Sequence, residues 1–178
     1  MNPTKTFFAF TVAILLNISA FATEYYVNSK TGNNKNNGNS PATAWKSLKK
    51  VNSKNFKPGD KILLATGQVF FGTIQWKNHY GNKSKPIVIS SYVVDHSDAK
   101  PIINAKNHLN GVKLENCSFI TIDGLSLRAD GGNSNPKKGM RCGILFTANE
   151  TGSFSNITIK NCIVKDVFFE NENFQRGK

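Results

Sequence analysis

IVISSY (Ile87–Tyr92), ITIDGL (Ile120–Leu125) and ITIKNC (Ile157–Cys162) are three copies of one pattern. Each opens with β-branched residues at its first and third positions, passes through a turn-compatible pair and ends on an apolar residue or tyrosine. ILLATG (Ile62–Gly67) is a weaker earlier copy, and the successive starts lie 25, 33 and 37 residues apart. A short alternating strand that recurs along one chain is the mark of a solenoid, in which each repeat forms one coil.

The widening interval has a visible source. ADGGNSNPKKGMRC (Ala129–Cys142) and NETGSF (Asn149–Phe154) are rich in residues that break regular structure. Such insertions at fixed corners are how solenoids absorb length variation while keeping their strands. A second column of strands is expected at GTIQW (Gly72–Trp76), PIINA (Pro101–Ala105), LSLRA (Leu125–Ala129) and CIVKD (Cys162–Asp166). A third is expected where VKL (Val112–Leu114) matches ILF (Ile144–Phe146). With no helical period between them, these strands predict an all-β, right-handed parallel β-helix.

Alternation assigns the faces. Ile120, Ile122, Leu125 and Leu127 point inward, with Thr121, Asp123, Ser126 and Arg128 outward. In the next coil Ile157, Ile159, Cys162 and Val164 fall on the inward positions. At the other end, Ser40-Pro41 is a helix start, and Trp45, Leu48 and Val51 form an apolar stripe flanked by Lys46, Lys49 and Lys50. One short amphipathic capping helix is predicted there, shielding the exposed strand edge. The tail FFENENFQRGK (Phe168–Lys178) has no such pattern, so the chain is expected to be a fragment of a longer protein, incomplete at its C-terminus and inactive alone.

The first 22 residues stand apart. Lys5 precedes the apolar run Phe7–Leu16, and Ala20-Phe21-Ala22 supplies small residues for cleavage, which is the layout of a signal peptide. The run is too short to span a bilayer, and no second one follows. The expected organisation is a signal peptide over 1–22, a strand, Asn/Gly-rich loop and capping helix over 23–60, and solenoid coils over 61–178. Export to the periplasm, cell surface or medium follows, with no membrane span after cleavage.

The chain carries 23 Lys+Arg against 11 Asp+Glu, a net charge of +12, and loses one cation with the leader. Such charge suits an acidic polysaccharide, and no aromatic-interleaved basic motif points to nucleic acid. Cys117, Cys142 and Cys162 are too few for a disulfide scaffold and lack a CxxC pair; small apolar core residues are the expected role. A monomer is expected.

The stretch Glu24–Ile74 adds a resemblance. An initial strand, an Asn/Gly-rich loop, SPATAWKSL, the turn Phe56-Lys57-Pro58-Gly59-Asp60 and Gly72-Thr73-Ile74 resemble the opening of secreted right-handed β-helix proteins of the pectate-lyase-like superfamily. The likeness extends to about Val167. It implies a polysaccharide-degrading enzyme, foremost a lyase cleaving uronic-acid glycans by β-elimination, with a basic side chain as proton acceptor and calcium or a cation holding the carboxylate. A glycoside hydrolase or a glycan-binding surface solenoid on the same scaffold are the alternatives.

Candidate substrate-binding residues follow from the outward faces. Arg128 and Lys165 occupy equivalent places in successive coils, about 5 Å apart, so an anion between them would relieve their repulsion. Lys113 stands on the third column, with Lys137, Lys138 and Arg141 in the loop near it. Trp76 and Tyr80 flank a turn and are placed to stack on sugar, although Trp76 suits the core equally well. Asp123 is expected to pair with Lys160 on the surface. No metal-ligand set stands out, and calcium is an expectation for the whole protein only, with Asp95, Asp98 and Asp130 as scattered turn residues. His79, His96 and His108 read as surface loop residues. No catalytic residue is evident, and no pair of carboxylates is spaced for hydrolase chemistry.

Overall fold

The structure, a computed structural model, describes residues 22–129 and 140–167. Residues 1–21, the loop residues Asp130, Lys137 and Lys138, and the Phe168–Lys178 tail lie outside these.

The chain is all-β, and its strands form three sheets. The first contains β1 (Glu24–Val27), β2 (Lys61–Ala65), β5 (Ile87–Tyr92), β8 (Ile120–Asp123) and β11 (Ile157–Lys160), in that order. The second contains β3 (Val69–Phe71), β6 (Ile102–Asn104), β9 (Ser126–Ala129) and β12 (Ile163–Val167). The third contains β4 (Ile74–Lys77), β7 (Asn110–Glu115) and β10 (Cys142–Thr147). Every pairing between named strands is parallel. The chain visits the first, second and third sheets in turn and then returns to the first.

Register stacks like on like. Ile87, Ile120 and Ile157 are successive partners, as are Ile89, Ile122 and Ile159. Ile62, Ile87, Ile89, Ile120, Ile122, Leu125 and Leu127 are each 0% exposed. Each such side chain contributes about 1.5–3 kcal/mol relative to exposure, so these columns hold the fold together.

Several details differ from the sequence reading. Ile62 faces Ile89 and not Ile87; a slip of two residues preserves the alternation, so the inward set is unchanged. GTIQW belongs to the third column, because Ile74–Lys77 pairs with β7. Its place in the second column is taken by Val69–Phe71. The corner between the two falls at Gly72, whose φ of 110° an L side chain rarely adopts. On the edge strands β11 and β12, Ile159 and Val164 hold their inward register but are 51% and 50% exposed, since no further described strand covers them. Ser126, expected outward, is buried, with Ile102 and Ile163 as its register neighbours.

The predicted single helix is two pieces. Pro41–Thr43 is a 3₁₀ turn, and Ser40 Oγ accepts from the Thr43 N–H at 3.3 Å. The chain then extends, so that Trp45 N–H donates to the Tyr26 carbonyl and the Trp45 carbonyl accepts from Asn28, both at 2.8 Å. A parallel bridge to Val27 makes Trp45 an extension of the first sheet. Only then does α1 (Leu48–Asn52) form. Trp45, Leu48 and Val51 are all buried, so the three-residue stripe finds the core although one helix does not carry it. The turn before β2 is fixed by the buried Asp60, whose carboxylate accepts from Thr23 N–H at 3.0 Å and Lys57 N–H at 2.9 Å. All three thiols are free, with Cys117 buried in the core and Cys142 and Cys162 partly buried.

Candidate functional site

The outward face of the third sheet is built by alternation in β7, where Val112 and Leu114 point inward and Lys113 and Glu115 outward. Register then makes two rows across the sheet. Gln75, Lys113 and Leu145 form one, and Lys77, Glu115 and Thr147 the other. Beside the first row lies a cavity of about 330 Å³, lined by residues that include Thr73, Gln75, His108, Asn110, Lys113 and Leu145. A second depression of about 340 Å³ is lined by Asn52, Gln75, Trp76, Lys77 and Glu115. Gln75 lines both.

A charge network crosses this face. Lys77 Nζ lies 3.1 Å from Glu115 Oε1 and 3.3 Å from Glu150 Oε1. Lys113 Nζ lies 3.3 Å from Glu115 Oε2. The hydrogen bond from Lys77, then those from Asn149 and Lys113, hold the Glu115 carboxyl below the usual carboxylate range. The contacts of 3.1 and 3.3 Å bound the separation of the two glutamate oxygens at about 6.4 Å, their sum. That is a pair the sequence reading did not find. Glu150 sits in the irregular Asn149–Phe154 excursion, where no periodicity assigns a face. Hydrolases use carboxyl pairs at such separations, but here a lysine bridges the two and Glu115 is kept ionised. The arrangement shapes the groove and supplies no proton donor at Glu115.

Of the predicted binding residues, Lys113 alone lines the cavity. Arg128 and Lys165 are register partners on the second sheet, as expected. The anion beside Arg128 is the chain's own: Asp166 Oδ2 lies 3.5 Å from Arg128 Nε. Trp76 is corrected to the core. It is 1% exposed, and its ring centroid lies 5.1 Å from that of Phe56 and 5.0 Å from that of His79, so the ring is too buried to stack on a sugar. His79, expected as a loop surface residue, stacks on Trp76 and its Nδ1 lies 3.0 Å from the Lys77 carbonyl. Tyr80 is 45% exposed. Arg141 Nη1 donates to the Ala129 carbonyl at 2.7 Å, and Lys160 pairs with Asp123 at 3.4 Å. Asp95 and Asp98 are exposed. Among the described residues no three His, Cys, Asp or Glu side chains gather to hold a metal ion.

No family model matches the sequence. The chain is similar to a lacto-N-biosidase of Bifidobacterium longum subsp. longum, 28% identical over 192 residues, covering 82% of this chain and 12% of that protein. Its fold is that of part of the GH136 lacto-N-biosidase from Eubacterium ramulus. The native crystal structure matches with a TM-score of 0.67 at 21% identity, and the selenomethionine derivative with 0.65 at 20%. Each match covers 82% of this chain and 34% of that one. The chain therefore spans a small part of the proteins it is similar to.

These relatives correct two expectations. The resemblance to the pectate-lyase-like superfamily gives way to similarity with GH136 lacto-N-biosidases. A lyase acting by β-elimination gives way with it, because the similar proteins are glycoside hydrolases. The strings that carried the resemblance shape the backbone: the Pro-Gly-Asp turn leads into β2, and the Gly-Thr-Ile string turns the corner at Gly72. They specify backbone, and the reaction lies elsewhere.

Proposed function

We propose that this chain is part of a secreted glycoside hydrolase and that its glycan lies along the outward face of the third sheet. The observation that carries this reading is the 330 Å³ cavity over the Gln75–Lys113–Leu145 row, in a chain similar to lacto-N-biosidases. Gln75, exposed at one end of the row, offers an amide that matches sugar hydroxyls, while the buried Thr73 and Asn110 donate to the Gly111 and Met140 carbonyls and fix the cavity wall. The charges at the groove balance, with Lys77 and Lys113 set against Glu115 and Glu150. A balanced groove favours a neutral sugar. Glu115, ionised, suits a base or an electrostatic role and not the acid.

The three sheets are read as a right-handed parallel β-helix, in keeping with the roughly 98% right-handedness of parallel crossovers. The pattern over 1–22 is read as an export signal, and the exported protein as a monomer. A second reading, glycan binding without turnover, is favoured by one observation: Lys77 bridges the two carboxylates of the groove.

The test is to incubate the chain with a chromogenic lacto-N-bioside while measuring lacto-N-biose binding by calorimetry. Release of chromophore supports the hydrolase. Binding without release supports the second reading, and neither result would overturn both.

A further inference from the structure

The outward face of the second sheet holds a row that the groove on the third sheet does not use. Phe71, Asn104, Arg128 and Lys165 are successive register partners on β3, β6, β9 and β12. At about 4.8 Å between neighbouring strands the row is roughly 14 Å long, the reach of a short oligosaccharide.

Three cations gather along it. Asn104 Oδ1 accepts from the Lys106 N–H at 2.9 Å and fixes the start of the loop beyond β6. Lys106 Nζ then rests 4.0 Å from the centre of the Phe71 ring, which is 58% exposed. The ring thus holds an ammonium group at one end of the row. Arg128 and Lys165 follow, side by side.

The acid among them arrives by a device of the backbone. Lys165 pairs with Arg128 and Val167 with Ala129, so Asp166 is the extra residue of a bulge. Its φ of 54° lies in the left-handed region, which Asp tolerates better than most residues. The bulge delivers its carboxylate to 3.5 Å from Arg128 Nε. That contact is long: Nε is buried and makes no hydrogen bond, so the pair is held by charge alone. Arg128 keeps its two terminal nitrogens, the fork that takes a carboxylate or sulfate by two parallel bonds.

We propose that this row binds an anionic group, carboxylate or sulfate, of an acidic glycan, and that Asp166 is a tethered anion which the ligand displaces. The site is independent of the neutral groove on the third sheet. A neutral substrate can be processed there whether or not this row is filled.

The experiment is calorimetry at low salt with a galacturonate trimer, a sulfated disaccharide and a neutral galactose trimer. Binding of either acidic probe, and weaker or no binding of the neutral one, is expected; which acidic probe binds names the anion. Arg128→Gln with Lys165→Gln should weaken the acidic probe at least tenfold, since bonds to charged groups are lost. Asp166→Asn should tighten it by about threefold, the scale of an exposed ion pair removed from competition. Circular dichroism confirms that each variant is folded. If Asp166 merely braces the bulge, Asp166→Asn leaves affinity unchanged or lowers it, and the proposal fails. Equal binding of the neutral probe, or binding of none, also overturns it.

Discussion

Ile122 and Ile159 are the same residue at the same register position in neighbouring strands of the first sheet, and replacing each by alanine should have different consequences. The two are register partners, with Ile89 on the far side of Ile122. Ile122 is sealed at 0% exposure, whereas Ile159 is 51% exposed. Truncating a sealed isoleucine removes its transfer free energy and leaves a cavity, a loss of about 2–5 kcal/mol. At Ile159 about half the side chain already meets water and the vacated space opens to solvent. Roughly half the burial energy is at stake, about 1 kcal/mol, with no cavity contribution. The expected difference is about 2 kcal/mol, or about 4–8 °C in Tm for a chain of this size. Urea unfolding followed by circular dichroism measures it, with an unchanged m-value showing that both variants unfold from the same structure. Equal losses, or a larger loss at Ile159, would refute the stacked columns.

Three further outcomes follow from the geometry. Trp76→Ala should lose about 3–5 kcal/mol of stability as a buried-core truncation, while Trp76→Phe, which removes an indole N–H that is buried without a partner, should leave sugar affinity unchanged; calorimetry and thermal melts check the two. Glu115 titrates below its ordinary 4.5 because Lys77, Asn149 and Lys113 stabilise its ionised form, so its contribution to stability is complete above the unfolded pKa and is lost as pH falls through the lower folded value. Lys77→Gln should move the Glu115 titration, followed by carbon NMR, up toward the ordinary range; no movement would remove Lys77 as the cause. Gly32→Ala should destabilise by about 1–3 kcal/mol, because a Cβ there would collide with the backbone carbonyl oxygens of Trp45 and Asn28, which cannot move aside; a melt unchanged from the parent would contradict it.

Much of the fold was legible in period-two alternation, because burying one face of a strand forces it into the residue order. That is why Ile120, Ile122, Leu125 and Leu127 could be placed inward from their spacing. Corners were less legible. Val69–Phe71 is three residues long, and the break at Gly72 separates it from Ile74–Lys77 with no turn-rich cluster to mark it, so one sheet's strand was assigned to another. Trp45 shared the spacing of Leu48 and Val51 while sitting on a strand edge, since burial alone does not distinguish a helix stripe from a bridge plus a turn.

The candidate site divided along the same line. Lys113, Arg128 and Lys165 were placed on outward faces because alternation carries through regular strands. Glu150 was missed because it enters the network from a loop, and Asp166 because a bulge breaks the period just where it matters. Trp76 was ambiguous by type: an aromatic beside a turn serves core or sugar equally, and only its burial against the rings of Phe56 and His79 decides it.

The most direct measurement is an amide NMR titration of the whole chain with lacto-N-biose. The account predicts shifts that saturate and concentrate at Thr73, Gln75, Asn110, Lys113 and Leu145, with the outward residues of the first sheet undisturbed. Shifts confined to the first sheet, or a spectrum that does not change at all, would contradict a glycan site on the third.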